Sequence, residues 1–92
     1  MSNKMERYEV SIRGNMASAE KDYGNSPEDR RGFVIGAVCK LWEVYQDKQI
    51  NEQQFDKLIG ILATFSKGEY QGFIDEQVKA YKGGTPPTII GY

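Results

Sequence analysis

The side chains able to do chemistry in this 92-residue chain are few, and the missing types decide more than the present ones. There is no histidine. That removes the commonest general acid–base, the usual partner of a catalytic serine or cysteine, and the main nitrogen ligand for transition metals. The single cysteine, Cys39, has no partner for an internal disulfide. It lies in an apolar helical run, where a thiol reads as a small buried hydrophobe. Acids that share a helix, Glu43 with Asp47 and Asp75 with Glu76, lie on faces that also carry Lys40 or Lys79. Such faces are normally solvated surface with weak ion pairs. No glycine-rich loop leads into a Lys-Ser/Thr pair, so no phosphate cradle is expected. The chain reads as non-enzymatic, with no catalytic residue, no metal site and no required cofactor.

Arg30-Arg31 is the one basic pair. Its plain reading is two surface arginines answering Glu28 and Asp29 on the same turn. Its sharper reading is a clamp for a carboxylate or phosphate. In the sharper reading the chain is a helical oligomer that holds a small, nucleotide-like anion between subunits. Arg30 and Arg31 would then meet the charge, while Tyr8, Tyr23 or Trp42 stack on a ring. A helix N-terminus alone does not supply an anion site, because Glu28 and Asp29 already occupy the strongest one.

The elements that carry these residues are helices. Ser26-Pro27-Glu28-Asp29, Asn51-Glu52-Gln53-Gln54 and Ser66-Lys67-Gly68-Glu69 each place a short oxygen-bearing side chain three residues ahead of an acid or amide. That is the spacing with which a capping box satisfies the free N–H groups of a helix start. The spacing predicts a helix from Ser26 to about Asp47, a second to about Phe65, and a third to about Lys82. Ile50 and Phe55 bracket the second cap as a hydrophobic staple. The short polar turn at 46–49 makes the first two an αα-hairpin. Gly83-Gly84 ends the third.

The segment 5–23 admits two readings. Tyr8, Val10 and Ile12 alternate with polar residues as a half-buried strand would. Met5, Tyr8, Ile12, Met16, Ala19 and Tyr23 instead form one helical stripe roughly 80° wide. The longer helical match is preferred, with Gly14 as a point of weakness. The fold class is therefore all-α, with one helical domain over 1–84 and an extended proline-containing tail over 85–92.

Surplus apolar surface points to association. Phe33, Val34, Ile35, Ala37, Val38, Leu41, Trp42, Val44 and Tyr45 span roughly 200° of one helix, about twice what a one-sided helix needs. One shoulder of that helix is expected to stay wet in a monomer, where exposed apolar patches mark contact surfaces, unless the N-terminal helix folds back and covers it within the same chain. Gly32, Gly36 and Gly60 sit inside helices on the side away from the apolar arcs. A glycine there is either tolerated or lies beneath a closely crossing partner. The tail, Thr85-Pro86-Pro87-Thr88-Ile89-Ile90-Gly91-Tyr92, pairs a stiff spacer with apolar residues suited to a groove. The expected contact residues are Val34, Val38, Leu41, Trp42, Tyr45, Ile89, Ile90 and Tyr92.

Composition is consistent with this. Twelve basic and thirteen acidic residues give a net charge of −1, with no basic block for nucleic acid or an anionic membrane. The start Met-Ser-Asn-Lys-Met-Glu-Arg has no apolar signal core, and no run approaches a membrane span. The expectation is a cytoplasmic regulatory or adaptor protein that works by protein–protein association as a homodimer or higher oligomer.

Overall fold

The computed structural model of the chain describes residues 4–23 and 26–84. Four α-helices make up most of it: α1 (Lys4–Asp22), α2 (Pro27–Gln46), α3 (Glu52–Leu62) and α4 (Gln71–Lys82). A 3-10 turn over Phe65–Gly68 separates the last two. The fold is all-α, and among the described residues there is no strand. The tail 85–92 lies outside the described residues.

In α1 the burial pattern decides between the two periodicities. Ile12 and Ala19 are buried, and Met5, Tyr8 and Met16 pack partly against the core. Val10 is 71% exposed, which a strand sharing one face among Tyr8, Val10 and Ile12 would not allow. The helix runs unbroken through Gly14.

Helix α2 begins as its residues dictate. Ser26 adopts an extended φ of −124°, its Oγ accepts the Asp29 N–H at 3.4 Å, and Pro27 fills the first helical position. At the other end Lys48 takes the left-handed conformation, φ 60°. Its N–H donates to the Tyr45 carbonyl at 3.0 Å, while that of Gln49 donates to Val44 at 3.1 Å. Those two bonds are the Schellman pattern, completed here by a lysine where glycine is usual. Helix α3 carries the full reciprocal box. The Gln54 N–H donates to Asn51 Oδ1 at 2.8 Å and the Asn51 N–H donates to Gln54 Oε1 at 2.9 Å. Ile50 and Phe55, the expected staple, are both buried in the core.

The third expected cap is not formed. Ser66 lies in the turn before α4, with φ 51°, followed by Lys67 at 61° and Gly68 at 84°. Phe65 is the reason: it is fully buried immediately after α3 ends, so the chain must turn inward there before a new helix can start. Ser66 anchors that turn rather than capping a helix. Its N–H donates to Glu20 Oε1 at 2.6 Å, and its hydroxyl accepts a hydrogen bond from Arg30. Helix α4 starts at Gln71, five residues later, without a side-chain cap. It stops at Gly83, and Gly84 carries the positive φ of 83°.

One core joins all four helices. Phe55, Phe65, Leu58, Leu62, Ile74, Val34 and Val38 are its fully enclosed side chains, each contributing about 1.5–3 kcal/mol by removal from water. Helix α2 is central, touching α1, α3 and α4, while α1 also lies along α3. Of the two expectations for the α2 shoulder, the fold-back is the one seen: the N-terminal helix lies over part of it within the same chain, so Val44 is buried and Phe33, Ile35 and Trp42 are only partly exposed.

Candidate functional site

Helices α1 and α2 do not close on each other along their whole length. They flank an open trough of about 410 Å³. Tyr8, Ile12, Phe33, Ala37, Leu41 and Val44 give it an apolar lining, and Lys40 and Asn15 mark its polar edges. Gly32 and Gly36, one helical turn apart, also face into it. Among the described residues a Cβ built on either would meet no neighbouring atom within 4 Å. Neither glycine is thus required by close packing among those residues. Each leaves helix backbone bare at the trough, at a cost of about 0.8–1 kcal/mol relative to alanine.

The expected contact residues divide. Val34 and Val38 are completely enclosed by the chain's own core and Leu41 keeps 5% exposure, so the single chain already covers most of that face. Leu41 nevertheless lines the trough. Trp42 and Tyr45 are half-buried. The indole stacks on Tyr81 with ring centroids 5.1 Å apart and meets Phe55 edge-on at 5.6 Å. Tyr45 sits 5.3 Å from both Trp42 and Phe55. These four rings fasten α4 and α3 to α2. Ile89, Ile90 and Tyr92 lie outside the described residues.

The arginine pair is also used internally. Arg30 Nη2 donates to Glu69 Oε2 at 2.8 Å and to the Ser66 hydroxyl, and its guanidinium lies over the rings of Phe65 and Tyr70 at 5.7 and 5.8 Å. Arg30 Nε is buried without a hydrogen-bond partner among the described residues. Arg31 covers the Phe73 ring at 4.8 Å. Both cations therefore hold the 66–73 segment against α2, and neither is arranged as an open clamp. Tyr8 and Tyr23, the proposed stacking residues, lie fifteen positions apart on one rod, roughly 22 Å at 1.5 Å per residue. Within one chain the four residues of the anion-site expectation do not converge on one small ligand.

A polar contact forms where α2 meets the end of α4. The Cys39 thiol donates to Glu43 Oε1 at 4.0 Å and also contacts Tyr81. The thiol is half-buried rather than enclosed. Burial, followed by that contact and the nearby Glu43 carboxylate, pushes the Tyr81 phenol up to about 12. Lys82 donates to Asp56 Oδ1 at 2.8 Å and lies 3.4 Å from Glu52. Its pKa is raised chiefly by the Asp56 bond, against an opposing effect of burial. Gln77 is the buried polar residue on α4, keeping 8% of its surface exposed. Among the described residues no three Asp, Glu or Cys side chains are grouped to hold a metal ion, and no helix is long and apolar enough to cross a membrane.

Sequence reasoning raised the open glycine face and, as one alternative, α1 against the α2 shoulder, but not that the two helices would flank a trough, since helix pairing has no local signature. Glu20 was likewise missed: its bond to Ser66 spans 46 residues. Comparison of the chain with protein-family models, curated proteins and solved structures returns no match.

Proposed function

We propose that this chain is a small, non-enzymatic regulatory or adaptor protein of the cytoplasm. It works by protein–protein association as a homo-oligomer whose α1–α2 trough receives a helix from a second copy. The observation that carries the reading is the bare backbone at Gly32 and Gly36 inside an apolar trough. Glycines in a helix interior reduce its stability unless close approach of another group compensates. Among the described residues nothing approaches them. A helix lying in the trough would cover Tyr8, Phe33 and Ala37 together with the exposed backbone, and would gain contacts that no larger residue at 32 or 36 permits. Leu41 supplies part of the trough wall.

Molar mass by light scattering tests this directly. The expected result is a dimer or larger oligomer that Gly36→Leu converts to a monomer with its helix content intact, because the added side chain enters the trough rather than the core. A native chain that stays monomeric as its concentration rises overturns the reading.

A further inference from the structure

A second trough, on another face, has its occupant written in the same chain. Helix α4 packs on α2 rather than closely along α3, although only residues 63–70 connect α3 to α4. The space between α3 and α4 is an open channel of about 780 Å³. Ile59, Gly60, Ala63 and Val78 line its floor, and acids and lysines mix along its rims. Gly60 is exposed there, and among the described residues a Cβ on it would meet nothing within 4 Å. At one end the Lys82 bonds to Asp56 and Glu52 tie the two helices together.

The chain leaves α4 at that end. Lys82 lines the channel, and two residues later Gly84, at φ 83°, turns the backbone off the helix axis. Eight residues follow: Thr-Pro-Pro-Thr-Ile-Ile-Gly-Tyr, none of them charged. Extended, they cover up to about 26 Å. The channel runs beside α4, from Lys82 back to Gln71, for roughly 17 Å at 1.5 Å per residue. The segment is thus long enough to turn and lie along the floor. Its two prolines lower the entropy lost on ordering it. Uncharged side chains suit an apolar floor whose rims carry both signs, because none of them is left as an unpaired charge.

We propose that residues 85–92 fold back in cis into the α3–α4 channel, seating Ile89 and Ile90 over Ile59, Gly60 and Val78 as an intramolecular cover for that face. Tethering favours this occupant, since a segment joined directly to the channel mouth experiences an effective concentration on the order of millimolar. The site is separate from the α1–α2 trough and does not depend on it.

A spin label placed by Tyr92→Cys in a Cys39→Ser chain tests the inference. With label and isotope on the same molecule, the amide signals of Gly60, Ala63 and Val78 should broaden more than those of Gly32 and Gly36. Dilution should leave that difference unchanged. In a mixture where only the unlabelled-isotope chains carry the spin label, the same signals should stay sharp. Broadening in the mixture means that a neighbour's tail fills the channel and overturns the cis assignment. Equal broadening of all five glycine, alanine and valine signals, or none, overturns docking altogether. As an independent check, deleting 85–92 should shift the Gly60, Ala63 and Val78 resonances, and unchanged positions would count against the proposal.

Discussion

Replacing Gly32 and Gly36 by alanine should separate folding from association, because the two processes respond with opposite sign. Both residues lie in the interior of α2, neither has a positive φ, and among the described residues no neighbouring atom would stand within 4 Å of the new methyl. The folded single chain therefore gains the helix propensity of alanine without a steric penalty, about 0.8–1 kcal/mol per site. Helix propensity counts per residue, so the two changes together give roughly 2 kcal/mol. For a chain of this size that corresponds to a rise in Tm of about 8–16 °C. The measurement belongs at low protein concentration, since self-association stabilises the native state by mass action. At the contact the same methyl is an intruder. Overpacking at a close-packed interface costs about 1–3 kcal/mol, so self-association should weaken at least roughly fivefold. Thermal unfolding monitored by circular dichroism reads the first effect and analytical ultracentrifugation reads the second. A fall in stability would show that something in the chain already covers these glycines. A rise in stability with unchanged self-association would show that the trough is not the contact.

Three further outcomes follow from particular contacts. Arg30→Met keeps the aliphatic stem and removes the charge that holds Ser66 and Glu69. The bond to Ser66 and the two ring contacts outweigh relief of the unpartnered Nε, for a net loss of roughly 2 kcal/mol by chemical denaturation. Glu69→Gln should cost well under half as much, because that carboxylate is 55% exposed, and equal effects would refute the ranking. Lys48→Gly should stabilise by about 0.5–1 kcal/mol, as glycine holds the left-handed position without the clash of a Cβ but gains freedom when unfolded; a loss in urea midpoint would refute it. Tyr81 should ionise near pH 12 rather than near 10. Its raised pKa means that its contribution to stability is complete below about pH 10 and lost as pH rises through about 12. Tyrosinate absorbance should show this late step, and Tyr81→Phe should remove both it and the matching part of the alkaline destabilisation.

Helix identities were readable because they rest on neighbours in sequence. Ser26 and Asn51 have their capping partners three residues away, and the burial of Ile12 and Ala19 follows the 3.6-residue period. Ser66 offered the same local signal and was used otherwise, because Phe65 beside it had a stronger demand for the core and because Glu20 and Arg30 arrive from distant parts of the chain. Local pattern states what a residue can do, whereas tertiary neighbours decide which option is taken. The α2 arc shows the same limit: its width marked a central helix, but pattern alone left open whether α1 or a second copy would cover the excess, and α1 takes part of it. The glycine faces were legible as open surfaces, whereas the walls that turn them into troughs come from other helices.

Because Trp42 is the sole tryptophan and its indole lies flat against Tyr81, its emission is an internal gauge of whether the last helix is seated. That helix rests mainly on α2, with ion pairs rather than an interlocked seam toward α3. Its detachment is thus a separable event, of the kind seen as sub-global opening in amide exchange. Mild denaturant or salt should change indole emission before far-ultraviolet ellipticity falls, giving a reversible hinged state in which α1, α2 and α3 still hold together.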